Sequence, residues 1–242
     1  MKISICCPSY KRPTSMQRLV ESAFSTCDDK TQVELVFYLD FDDLASKEMA
    51  VELMRVHGAT NVKAITGPKI KLSHMWNHCA NLATAEILMV CGDDIVFNTQ
   101  NWDKLVWDAF EAVEDKIMFL HGDDGLHANR FGTHGFLHRN WVNTVGYLLP
   151  PYFSADWCDT WINDVANMLN RRVYIPIVTE HLHFVLNKAT IDVTHQERLE
   201  RDRIDNNKQI YTDKKLERDL DFLKLKTFML QHAMERVLSI KV

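Results

Sequence analysis

The stretch EILMVCGDDIVF (residues 86–97) sets an acidic pair inside an apolar run. Ile87, Leu88, Met89 and Val90 have the continuous apolar pattern of a strand buried on both faces. Asp93 and Asp94 follow almost at once, although Asp is disfavoured in strands and costly to bury. Taken alone, such a pair is either a solvated turn or a charged site at the carboxyl end of a core strand. The neighbouring segments decide between them.

Residues 2–7 predict a short apolar strand stopped by Pro8. In TSMQRLVESAFS (14–25), Thr14 and Gln17 have capping-box spacing, and Met16, Leu19, Val20, Ala23 and Phe24 recur at helical spacing. VELVFYLD (33–40) predicts a second buried strand ending in acid, and residues 46–57 a helix stopped by Gly58. VKAIT (62–66) is a third strand, and residues 73–83 form a helix capped by Ser73. After the strand EILMVC (86–91) comes NWDKLVWDAFEAV (101–113), with Trp102, Leu105, Val106, Ala109, Phe110 and Val113 on one face, and then the strand KIMFLH. Strands alternating with helices at short connections predict an α/β fold with a parallel sheet. Ligands of such sheets sit beyond the carboxyl ends of the strands. Here those ends carry CCPSYKR, YLDFDD, TGPK and CGDDI, so polar and acidic groups converge on one crevice.

The chain has 242 residues, 46% of them apolar, enough for one full core with an appendage. A net charge of −5 gives no global attraction to nucleic acid, which leaves only a local basic groove for such a partner. No run approaches the roughly 20 apolar residues of a membrane span, and the start MKISICCPSYKRP lacks a signal-peptide pattern. Six scattered cysteines fit buried thiols in a cytoplasmic protein.

The second half is less regular. GFLHRNWVNTVG predicts a strand running into a short helix, ADWCDTWINDVANMLN a helix with Trp157, Trp161, Ile162, Val165 and Leu169 inward, and RVYIPIV a strand. The charged segment 194–213 reads as a mobile loop or an exposed helix. Residues 213–240 predict a long amphipathic helix with Leu216, Leu220, Leu223, Phe228, Leu230, Met234 and Leu238 on its apolar face. The expected organisation is a domain over 1–192, divided near residue 98, followed by a flexible segment and helix over 193–242.

In their order, ISICCPSYKRP, LVFYLDFDD and KIKLSHMWNHCANLATAEILMVCGDDIVF resemble the nucleotide-sugar half of family 2-like glycosyltransferases with the GT-A fold. FLHRNWVNTVGYL, ADWCDTW and VTEHLHF resemble that family's acceptor half, so the resemblance runs over about residues 3–192. It implies a Rossmann-like, mostly parallel central sheet flanked by helices, here with a C-terminal helical extension. It further implies an enzyme moving a hexosyl or pentosyl group from a nucleotide sugar, a UDP-sugar, to a hydroxyl acceptor, with inversion. A divalent cation, Mn²⁺ or Mg²⁺, would neutralise the diphosphate leaving group.

The resemblance assigns roles residue by residue. Asp94 would bind the metal, and Asp93 the ribose or a metal-bound water. Gly92 departs from the family pattern, which places an acid there. Pro8, Ser9 and Tyr10 would face the nucleoside and Arg12 its phosphates, with Asp40 and Asp42 at the uracil or ribose. Ser73 and Asn77, one helical turn apart, would face the nucleotide. A further metal ligand is expected from EHLHF: His183, with His181 as the alternate. Lys188 would meet the diphosphate as the following loop closes. Asp156 is the expected base, although Ala155 stands where the family has Glu, and Asp159 is the second choice.

The acceptor is open between a glycan or lipopolysaccharide precursor and a hydroxymethylated base in DNA, the latter associated with similar short phage-encoded proteins acting in the host cytoplasm. For DNA, Arg130, His134, His138, Arg139, Arg171 and Arg172 would line a basic groove. HGDDGLHANRFGTHG (121–135) would build the acceptor pocket. Alternatives are a non-catalytic nucleotide-sugar binding module and a nucleotide-sugar hydrolase. A template-copying polymerase, which also carries a GDD triplet, conflicts with the chain length and the parallel pattern. The protein is expected to be a monomer, its C-terminal helix covering the sheet, or a homodimer through that helix.

Overall fold

The computed structural model describes residues 2–182, 188 and 191–239. Its first half is regular: β1 (Ile3–Ser9), α1 (Pro13–Thr26), β2 (Val33–Asp40), α2 (Leu44–His57), β3 (Val62–Gly67), α3 (Leu72–Leu82) and β4 (Ile87–Val90). These four strands are parallel, in the spatial order β3-β2-β1-β4. Helices cover both faces, so every residue of β2 is buried. Side-chain alternation sends Ile5, Leu35 and Phe37 toward α1 and α2, and Cys6, Val36 and Tyr38 toward α3. Glu34, buried in β2, is held by Ser4 Oγ at 2.6 Å, Lys63 Nζ at 2.5 Å and the Thr84 amide at 2.5 Å. Burial opposes its ionisation, but these partners outweigh the cost and hold its carboxyl below the usual range.

The second half adds β5 (Ile95–Phe97), α4 (Trp102–Glu111), β6 (Phe119–Asp123), β7 (Gly135–His138), α5 (Arg139–Val145), α6 (Cys158–Met168), β8 (Arg172–His181), α7 (Val193–Asp205), α8 (Asn207–Asp213) and α9 (Lys215–Ser239). Strand β7 runs antiparallel between β4 and β6, β8 is parallel to β6, and β5 is antiparallel to β8. The sheet is therefore mixed, with its parallel half at the start of the chain. Among the described residues, no helix is long and apolar enough to cross a membrane.

Several local expectations change. The Thr14–Gln17 capping box does not form, because Pro13 already opens α1 and Gln17 bonds Glu21 instead. Leu105 of α4 is exposed, leaving Trp102, Val106 and Phe110 as the buried stripe. The charged segment after residue 192 forms the helices α7 and α8. The largest correction concerns α9. Its expected apolar face is exposed at every leucine and at Met234, and only Phe228 is half-buried. The helix docks on α5 and α6 through Leu225, Phe222, Phe228 and Met229, together with buried Arg218 and Asp221. Asp221 accepts hydrogen bonds from the Tyr147 hydroxyl and from Trp161 Nε1 at 3.0 Å, and Arg218 lies over the Tyr211 ring at 4.0 Å. Two polar residues thus anchor a face that hydrophobic periodicity assigns to solvent.

Gly122 sits at the irregularity between β6 and β8, where a Cβ would overlap the Ile177 carbonyl and side chain. Gly122→Ala should therefore cost about 1–3 kcal/mol, read as a lowered thermal midpoint. An unchanged midpoint would mean that β6 and β8 separate without cost.

Candidate active site

A cavity of about 400 Å³ opens at the carboxyl ends of the strands. Its floor is built from Ser9 at the end of β1 and Tyr10 just after it, Asp40 at the end of β2, the 91–94 turn after β4, and His181 at the end of β8. Asp93 is buried, and both its oxygens are occupied: Ser9 Oγ donates at 2.7 Å and Arg12 Nη1 at 3.0 Å. Burial, with the charge of Asp94, pushes its carboxyl up to about 6 against the pull of Arg12 and Ser9. Asp94 behaves in the opposite way. Burial works against its charge too, but His181, whose Nε2 lies 3.1 Å from Oδ2, holds it down to about 2.

Strand register explains that pairing. Ile95 of β5 is opposite His181 of β8, and the Leu182 amide donates to the Asp94 carbonyl at 2.9 Å. The residue before Ile95 therefore meets the His181 ring. His183, the favoured ligand from sequence, lies outside the described residues. His134, edge-on to His181 at 6.0 Å, is bonded to Thr179 Oγ1 at 2.8 Å, and burial pushes it down to about 4, so it is neutral at pH 7. Asp94 and His181 offer a cation one oxygen and one nitrogen. Among the described residues no group of three acidic, His or Cys side chains is gathered tightly enough to hold an ion. The donor set fits a hard divalent cation whose remaining positions are filled by ligand oxygens and water.

Helix α7 forms the opposite wall. Arg12 reaches from the start of α1 to Asp192 in a bidentate pair, Nε to Oδ2 at 2.6 Å and Nη2 to Oδ1 at 2.8 Å. Asp192 is also the N-cap of α7, accepting from the His195 amide at 2.9 Å. Thr194 Oγ1 donates to the Tyr10 carbonyl at 2.8 Å, and Lys69 pairs with Glu197. Thr194, Arg198 and Arg201, at i, i+4 and i+7, face the cavity from this helix.

Asp156 and Asp159 border the cavity at the start of α6. Asp156 is ion-paired with Arg198 at 2.9 Å. Asp159 accepts from the Thr160 amide at 2.7 Å. Burial, aided by the Asp156 charge, pushes Asp159 up to about 6 against that hydrogen bond. Asp40, likewise bordering the cavity, is raised by burial against the pull of Lys69.

Other expected site residues are used elsewhere. Ser73 Oγ donates to the Phe153 carbonyl at 2.8 Å, and the Asn77 side chain donates to the Leu149 carbonyl at 2.8 Å while accepting from the Leu148 and Leu149 amides. Both tie α3 to the 148–153 loop rather than lining the cavity. Asp42 is exposed and accepts from the Tyr10 hydroxyl at 3.0 Å, positioning that ring. Lys188 pairs with Glu180 at 2.7 Å. Of the six residues expected to serve DNA, Arg130 is exposed and its carbonyl accepts from Arg172 at 2.6 Å, while the other four are engaged within the fold. Arg139 donates to the carbonyls of Ala80, Ala83 and Ala85, Arg171 pairs with Asp115, His138 caps α5 and His134 is buried. Conversely, Lys69, Trp76, Arg198 and Arg201 line the cavity without having been singled out. The sequence signal for the two arginines was the Asp192–His195 capping spacing, which marks a helix start and puts both on one face.

With this geometry in view, three comparisons bear on the chain. The model of glycosyl transferase family 2 matches residues 4–141, more than half of the sequence. No curated protein matches it. Among solved structures, the mannosyltransferase PcManGT from Pyrobaculum calidifontis, in complex with GDP-Man and Mn²⁺, has 10% identity and a TM-score of 0.61 over 96% of this chain and 75% of its own. S. aureus TarS 1–349, also solved with UDP-GlcNAc, has 15% identity and a TM-score of 0.58 over 74% of this chain. GalNAc-T7 with UDP, GalNAc and Mn²⁺ has 11% identity and a TM-score of 0.60 over 75% of this chain and 44% of its own. At such identities the likeness is one of fold, the GT-A fold. This chain spans 60% of the length of the TarS structure.

Gly92 lies close against the acidic pair. A Cβ there would lie 2.7 Å from Asp94 Oδ1. Gly92→Ala should displace the Asp94 carboxylate from His181 and raise its depressed pKa with the fold retained, by NMR titration beside circular dichroism. An unshifted Asp94 titration would contradict the role of this contact. Arg12→Ala leaves Asp93 buried without its cation and should cost roughly 3 kcal/mol, measured by urea denaturation at pH 8.

Proposed function

The chain belongs to glycosyl transferase family 2, and we propose that it moves a sugar from a UDP-sugar to a hydroxyl of a glycan, with inversion at the anomeric carbon. One observation carries this reading: Asp94 with His181, and Asp159, border the same cavity from two different strand ends and a helix start. A donor's pyrophosphate and an acceptor's hydroxyl need two such separate groups.

Tyr10 and Asp40 would take the nucleoside, Asp40 as a hydrogen-bonding acid at the end of β2. Asp94 and His181 would hold a divalent cation, which would supply Lewis-acid neutralisation of the diphosphate leaving group. Arg201 adds positive charge to the wall formed by α7, where Arg198 is paired with Asp156. Asp159 is the better base of the two candidates, because Asp156 is spent on Arg198. As the acceptor oxygen attacks the anomeric carbon and the bond to phosphate breaks, the hydroxyl proton passes to an Asp159 carboxylate oxygen. A base near pH 6 is well matched to neutral conditions. For the acceptor, Trp76 and His127 on the cavity wall supply rings for a sugar to pack against, whereas Arg139 and Arg171, two of the side chains that would serve DNA, are engaged within the fold.

Donor screening by mass spectrometry with Mn²⁺, once with glycan and once with hydroxymethylated DNA acceptors, tests the reading. Turnover should need an added glycan and cease with EDTA. Binding without turnover would leave a binding module, and free sugar alone a hydrolase. Asp94→Ala should abolish metal-dependent turnover; retention of both donor binding and turnover would sink the assignment.

Asp159→Asn should lower kcat/KM by roughly 10²–10⁴-fold, and the wild-type rate should rise with pH through a midpoint near 6. The stability effect has the opposite sense. Because the folded state raises this pKa, its contribution is present below about pH 4 and is lost as pH rises through about 6. The Asn variant should therefore be at least as stable as wild type at pH 8, by thermal denaturation. A large loss of stability instead would make Asp159 a structural residue.

A further inference from the structure

The exposed face of α9 carries a strict heptad seam. Leu216, Leu220, Leu223, Thr227, Leu230, Met234 and Val237 are spaced alternately by four and three residues over three turns of the repeat. All seven are exposed, the six apolar ones by 45–68%. Leucine occupies three of the four d positions (216, 223, 230). The residues that dock α9 on its own domain fall on the opposite side. Arg218 and Leu225 are at f, Asp221 and Phe228 at b, and Phe222 and Met229 at c, while Arg236, also at c, pairs with Glu114. The helix is thus two-faced: b, c and f hold it to the protein, and a and d face outward along roughly 30 Å. A 3.5-residue apolar repeat accepts knobs from another helix with the same repeat, and an exposed apolar stripe of this size is unusual for an isolated surface.

We propose that this seam is one half of a two-stranded coiled coil whose other half is α9 of a second copy of this chain, parallel and in register. Charge selects that occupant. In the parallel arrangement Asp219 at g meets Lys224 at e of the second copy, twice by symmetry, and Lys226 meets the neutral Gln231. An antiparallel pairing centred on Leu225 instead opposes Lys224 to Lys224 and Lys226 to Lys226. The two-fold axis runs along the seam, so the two domains, attached at b, c and f, lie on opposite outer sides and do not collide. Because α9 is already held as a helix by Leu225 and its neighbours, pairing does not carry the ordering cost of an isolated peptide. The cavity described above is not part of this surface, and the inference stands independently of the proposed chemistry.

Size-exclusion chromatography with light scattering, run at increasing concentration, tests it on the intact chain. The mass should approach twice 28.2 kDa. Leu223→Glu with Leu230→Glu, both at exposed positions, should give a monomer with unchanged circular dichroism. Asp219→Lys or Lys224→Asp alone should weaken association about tenfold, and the two together should restore it. A wild-type monomer at the highest soluble concentration, a dimer that survives the double leucine substitution, or a mass of three or more copies overturns the proposal. Failure of the charge exchange to restore pairing overturns the parallel register.

Discussion

Two adjacent carboxylates buried at the end of a core strand need separate polar partners. Asp93 and Asp94 obtain them from opposite directions: the Arg12 guanidinium from the start of α1, and the His181 ring from the end of β8. Much of the architecture follows from meeting that requirement. The β1–β4 pairing brings the SYKR loop beside the acidic turn, and the β5–β8 register delivers His181 to Asp94. The outcome is asymmetric. The raised carboxyl of Asp93 is locked in internal bonds, whereas Asp94, held low, presents the stronger anion to the cavity.

Arg12 extends this constraint to the far wall. A guanidinium offers enough donors to serve two carboxylates at once, and Arg12 spends them on Asp93 and Asp192. The capping residue of α7 is therefore tied to the same charge cluster that sets the floor of the cavity. Polar contacts thus join the floor of the cavity to the wall formed by α7. Arg12 also borders the cavity, and on the facing wall Arg201 adds positive charge beside Arg198, which is paired with Asp156.

The legibility of individual residues tracked the range of the interaction that places them. Ser9, Tyr10, Arg12, Asp40, Asp93, Asp94, Asp156 and Asp159 all reach the cavity, because each sits at a strand end or helix start that local patterning locates. Ser73 and Asn77 do not, since a hydroxyl and an amide one turn apart serve a neighbouring loop as readily as a ligand. Arg139, one of the residues expected to line a basic groove, is engaged elsewhere for a similar reason. A guanidinium satisfied by three carbonyls, as in Arg139, looks identical in sequence to one facing solvent.

By itself the sequence determined the α/β class, the order of the first four strands and helices, and the gathering of acids at their carboxyl ends. Period-two and helical patterns, with Gly and Pro stops, are local signals that do not depend on distant partners. Tertiary structure alone decided the mixed second half of the sheet, the meeting of His181 with Asp94, and which face of α9 is buried. These depend on strand register and on polar anchors such as Asp221 and Arg218, whose partners lie more than fifty residues away for Tyr147 and Trp161. A helix with two usable faces carries no mark of which one its own protein will cover until that protein has folded.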